Sequence, residues 1–182
     1  MKDQSSSVQE THEISLRLER YSDIFSDFDI RPYSKRSLSF DFLEEVKRAV
    51  SDKKVGEVGM MLYVPEKERK EYEEATIKER LAAHFKKHYD LLRAEKRHTK
   101  KLGITMISAG ITFMVVATLI VFQDPSKSVF LSFLVVLLEP AGWFSFWEGL
   151  NQLLFDSKKV DPELNFYHKM TNAHKNIHFK AY

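Results

Sequence analysis

The residue best placed to do chemistry in this chain of 182 residues is Glu139, the only charge in a 19-residue apolar run from Val129 to Trp147. An ionisable group deep in an apolar phase must find a partner, water or a proton. Two roles are open to it: an ion or proton site lining a pore, or a neutralised or hydrogen-bonded acid that holds helices together. Pro140 follows it and has no N–H, which frees the carbonyl of Val136 and predicts a kink beside the acid. Ala141 and Gly142 come next and permit close helix approach. An earlier apolar run, Leu102 to Phe122, carries one polar stripe, Thr105, Ser108 and Thr112, at i, i+3 and i+7. Thr112 lies ten residues before the end of its run and Glu139 ten after the start of the next, so the two should meet at similar depth. The expected partner of the stripe is Glu139 or another subunit.

Other candidates are weaker. Glu148 lies nine residues past Glu139, about 900° round an ideal helix and so on the opposite face. It is expected at a water interface with Trp147, Lys100 and Lys101. His84 with His88 and His174 with His178 are HxxxH pairs, a spacing that can hold a metal from one helix face, but no HExxH or carboxylate accompanies them. They read as solvated or core histidines. Asp23, Asp27 and Asp29 lack the glycine and the spacing of a calcium loop and read as turn and cap residues. There is no phosphate loop, nucleotide fingerprint or nucleophile motif, so no catalysis and no cofactor are expected. The absence of cysteine excludes thiol chemistry and disulfides. A net charge of +2 argues against a nucleic-acid partner bound through a broad basic face.

These residues need elements to position them. Residues 1–12 have no pattern and are expected to form a flexible tail, with no signal-peptide h-region. Glu13 to Arg20 alternates Ile14, Leu16 and Leu18 with polar neighbours, the period of a half-buried strand. Tyr21 to Arg36 fits neither period and reads as a structured loop. Leu43, Val46 and Val50 have helical spacing, with Ser37 or Ser39 as N-cap, which predicts a helix of about 14 residues. Val58 to Val64 alternates again, and Pro65 opens a long charged helix from about Glu66 to Lys101, with a stripe at Ile77, Leu81, Phe85 and Leu92. Residues 176–182 alternate Ile177, Phe179 and Ala181, which suggests a third strand returning to the sheet.

The two apolar runs set the class. Leu102 to Phe122 has 21 uncharged residues, about 31 Å of helix, the thickness of a bilayer core. In the second run eleven Leu, Val and Phe residues favour insertion by about 3 to 7 kcal/mol in sum, against roughly 2.5 to 3.5 for one central acid. The link 123–128 is short enough to force an antiparallel hairpin. Seven bases between Lys86 and Lys101 face two acids there, and Lys158 and Lys159 follow the second run. The positive-inside rule then puts both termini in the cytoplasm, with Trp143 and Trp147 in the aromatic belt on that side. The basic run could also meet anionic lipid headgroups.

The segment Leu138 to Leu150, LEPAGWFSFWEGL, resembles one found in small, poorly characterised two-span proteins of bacteria and archaea. Glu139-Pro140-Ala141-Gly142-Trp143-Phe144 also resembles the Glu-Pro-x-x-Tyr-Phe part of the mitochondrial calcium uniporter's pore motif. That resemblance implies a cation-binding ring at Glu139, braced by Pro140 and Trp143. The chain departs from the uniporter pattern at Val135 and Val136, where that family has tryptophan and aspartate. The expectation is an α+β membrane protein: a cytoplasmic β-α-β-α domain over 13–101 with a third strand at 176–182, spans at 102–122 and 129–155, and a cytoplasmic tail from 156. It would sit in the cell membrane as a homo-oligomer, with Glu139, Pro140, Trp143, Thr112 and Ser108 as pore candidates. The alternative is a membrane-anchored interaction or sensor module whose hairpin is only a tether.

Overall fold

The computed structural model describes residues 12–51, 58–123, 128–173 and 177–182. The expected tail apart from His12, residues 124–127 of the link, His174 and Asn176 lie outside the described residues. The chain is mostly helical, with one small parallel sheet and two helices long and apolar enough to cross a membrane. The elements are β1 (His12–Arg17), α1 (Phe40–Ser51), β2 (Val58–Val64), α2 (Glu71–Gln123), α3 (Val129–Asn151), α4 (Ser157–Lys159), α5 (Asp161–Ala173) and β3 (Ile177–Ala181). They divide into two units: one runs up to Asp90 and resumes at Glu163, and the other is Leu91–Pro162.

In the first unit the strands pair in the order β1-β2-β3, all parallel, with Ile14 beside Met60 and Met60 beside Ile177. Alternation dictates which side chains go inward: Ile14, Leu18, Met60, Leu62, Val64, Ile177 and Phe179 are all buried. Parallel strands need covering elements, and α1 supplies Phe42, Val46 and Val50. Leu43, expected in that stripe, is half-buried while Phe42 takes the core position. Ser39 is the N-cap, its Oγ accepting from the Phe42 N–H at 3.5 Å. The start of α2 contributes Ile77, Leu81 and Phe85, each without exposed surface.

Residues 161–173 were not expected to be helical. Here Phe166, Tyr167, Met170 and Ala173 form a buried stripe, and Pro162 occupies a first-turn position that needs no N–H. Phe166 meets Phe85 edge-on at 6.3 Å between ring centroids. The structured loop contains a 3-10 turn at Tyr21–Ile24. Asp23 accepts from the N–H groups of Glu19 and Arg20, and Asp29 accepts from Arg31 and from the Ser37 N–H, so both serve turns. A buried acid unforeseen from sequence ties this loop to α2. Glu74 accepts from Arg69 Nε and Nη2 at 2.9 and 3.0 Å and from the Tyr21 hydroxyl at 2.8 Å. The Arg69 bonds hold the Glu74 carboxyl below its ordinary range, and burial pushes the Tyr21 hydroxyl up to about 12.

Candidate functional site

In the second unit the apolar part of α2 and α3 run antiparallel in direct backbone contact. Gly103 faces Gly149, and Gly110 faces Gly142, so each helix supplies glycines seven residues apart to one seam. A β-carbon at Gly110 would lie 2.6 Å from the Gly142 carbonyl oxygen and 2.6 Å from the Phe146 nitrogen. Only hydrogen fits there. Ala117, seven residues after Gly110, continues the ladder and is buried. Gly142 therefore does permit close approach, and its partner is a glycine seven residues from another; that spacing in both runs is the sequence signal for the seam.

Because the seam is filled by backbone, Glu139 cannot point into it. The acid is exposed on the flank of the hairpin. It opens on a cavity of about 520 Å³ lined by Met114, Thr118, Glu139, Pro140 and Trp143. Two i,i+4 pairs make this notch, Met114 with Thr118 on α2 and Glu139 with Trp143 on α3, since residues four apart share a helix face. Trp143 is packed parallel to Phe146 at 6.1 Å and edge-on to Trp147 at 5.9 Å. Pro140 lies inside α3, which is continuous from Val129 to Asn151.

Ser108 and Thr112 are not part of the notch. Each hydroxyl on the polar stripe donates to the carbonyl four residues back, Thr105 to Lys101, Ser108 to Ile104 and Thr112 to Ser108, at 2.8 to 2.9 Å. Thr112 lies two residues from Gly110, about 200° round the helix from the seam. Thr118 and Met114, passed over in the sequence, take the place expected for the stripe. Glu148 is half-buried and accepts from Gln152 Nε2 at 3.1 Å, while that nitrogen also lies 3.6 Å from Met106 Sδ. Gln152 opens a π-helical turn, Gln152–Asp156, and its Oε1 is buried without a hydrogen-bond partner among the described residues. Trp147, Lys100 and Lys101 are exposed. Lys96 pairs with Asp161 in the same unit.

In the first unit the His84–His88 pair is an aromatic seam. The rings lie 4.3 Å apart, and His88 stacks on Tyr167 at 5.1 Å. Burial, reinforced by the like charge of His88, pulls the His84 imidazole down to about 4, and burial also lowers His88. Both rings are thus held toward the neutral form. Among the described residues no group of three or more His, Asp or Glu is placed to hold a metal ion. His178 of the other pair is exposed on β3.

No protein-family model matches the chain, and comparisons with curated proteins and with solved structures likewise return no match.

Proposed function

We propose that this chain is an integral membrane protein whose apolar helices cross the bilayer as a hairpin with both ends cytoplasmic, and that several copies assemble into a cation-conducting pore lined by Glu139. The observation that carries this reading is the placement of the acid. Glu139 is exposed on the flank of α3, in an apolar notch, with no hydrogen-bond donor of its own chain among the described residues. In a bilayer such a carboxylate needs water, an ion or a neighbouring subunit. The glycine seam leaves no room for a path inside one hairpin, so any path runs between copies, which requires a closed ring. The likeness of Glu139 to Phe144 to the uniporter segment points the same way. The sheet and its helices form the cytoplasmic domain in this reading, and the bases from Lys86 to Lys101 meet anionic headgroups.

The test is cation flux into proteoliposomes holding wild-type protein or Glu139→Gln, which keeps size and hydrogen bonding but not charge. Flux should fall at least tenfold in the variant while the oligomer elutes unchanged. Equal flux in both would remove Glu139 from the mechanism, and a strict monomer in nanodiscs would eliminate the pore in favour of a tethered module.

A further inference from the structure

We infer that the notch beside Glu139 is a binding site for a lipophilic organic monocation, of the quaternary ammonium or phosphonium type. The inference deepens the proposal above and rests on α3 lying in a bilayer. Among its lining side chains one notch supplies few oxygens: the Glu139 carboxylate and the Thr118 hydroxyl. The Thr118 hydrogen is already committed, since Thr118 Oγ1 donates to the Met114 carbonyl at 2.8 Å. A bare hard cation such as calcium takes six to eight oxygens. A bulky monocation needs a single counter-charge and polarisable walls instead.

The walls are of that kind. Trp143 lies one turn from Glu139 on the same face; it packs against Phe146 and Trp147 yet is 56% exposed, so the open part of its indole can cover a cation that the carboxylate neutralises. Met114 adds a polarisable thioether. The volume, about 520 Å³, lies within the range of roughly 300 to 1,000 Å³ typical of small-molecule sites. A second cavity of about 240 Å³ shares Met114 and Thr118 with it and is otherwise walled by Ile111, Val115 and Leu119. It offers an apolar annex for the substituents around the charge. A neutral molecule of the same shape would leave Glu139 uncompensated, and a hydrophilic cation would leave the annex empty.

The full chain in nanodiscs of zwitterionic lipid is titrated with radiolabelled tetraphenylphosphonium, with triphenylphosphine oxide as the neutral comparison. Saturable binding of one cation per chain is expected, weakened at least tenfold in Glu139→Gln and in Trp143→Leu, kept within a few-fold in Glu139→Asp, and not competed by the neutral compound. The chain has two tryptophans, so Trp147→Phe leaves Trp143 as the single reporter, and its emission should change with the same saturation curve. Binding that never saturates, or that is equal in wild type and Glu139→Gln, would overturn the inference as mere partition into lipid. Glu139-dependent flux of inorganic cations without saturable phosphonium binding would overturn it and leave the pore standing. Saturable Glu139-dependent binding without any flux would support it and remove the pore.

Discussion

Replacing Gly110 by leucine is expected to open the hairpin and to cost the second unit about 3 kcal/mol or more, the upper end of the overpacking range. The reason is what a side chain would meet. A β-carbon at this position lies 2.6 Å from the Gly142 oxygen and the Phe146 nitrogen, both backbone atoms of the facing helix. Flexible side chains yield by changing rotamer, but here a whole helix must move. In the bilayer proposed for these helices no hydrophobic effect acts between them and close backbone packing carries much of their association, so separating the seam removes the contact that defines the hairpin. Resistance to unfolding in mixed detergent micelles measures the effect. Ile111→Leu, on the exposed neighbouring position, should change it by less than about 0.5 kcal/mol. Equal resistance for Gly110→Leu and wild type would mean that the helices do not approach through this seam.

Deleting residues 177–182 should unfold most of the first unit. β3 is the edge strand on β2, and its loss removes the ladder from Met60 to Val64 together with the burial of Ile177 and Phe179. Two such side chains are worth roughly 1.5 to 3 kcal/mol each. Phe179 also packs edge-on to Tyr21 at 5.7 Å, and the Tyr182 hydroxyl donates to the Leu18 carbonyl at 3.3 Å, so the deletion reaches β1 and the loop as well. A loss of about 3 to 6 kcal/mol rivals the whole stability of a small domain, commonly 5 to 15. Hydrogen exchange should show the β1 and β2 amides exchanging at near-unfolded rates in the truncated protein. Unchanged protection would show that the sheet does not depend on its third strand.

How far the sequence could be read depended on whether the signal was local. Alternation at Ile14 to Leu18 and at Met60 to Val64 marks strands because both faces are defined by consecutive residues. The lengths of the apolar runs mark the two long helices for the same reason. The helix Asp161–Ala173 was hidden because its apolar stripe spans few turns and lies among polar residues, so its burial depends on Phe85 far away in the chain. Glu74 with Tyr21 was hidden too, as 53 residues separate the partners. At the candidate site, counting residues gives only an approximate depth and no direction. Counting sets Thr112 against Glu139, but Thr112 faces away from the seam and the residues that share the cavity with Glu139 are Met114 and Thr118; the direction is fixed by Gly103, Gly110, Gly142 and Gly149, spaced seven apart on each helix.

The central claim is that α2 and α3 form a bilayer-spanning hairpin with both termini in the cytoplasm. The chain contains no cysteine, so Ser7→Cys, Asp124→Cys and Tyr182→Cys each introduce a single thiol for a membrane-impermeant maleimide. In sealed vesicles of defined orientation the account predicts that Ser7→Cys and Tyr182→Cys are labelled only from the cytoplasmic face and Asp124→Cys only from the opposite face. Labelling of the two terminal positions from opposite faces, or of all three from the same face, would contradict it.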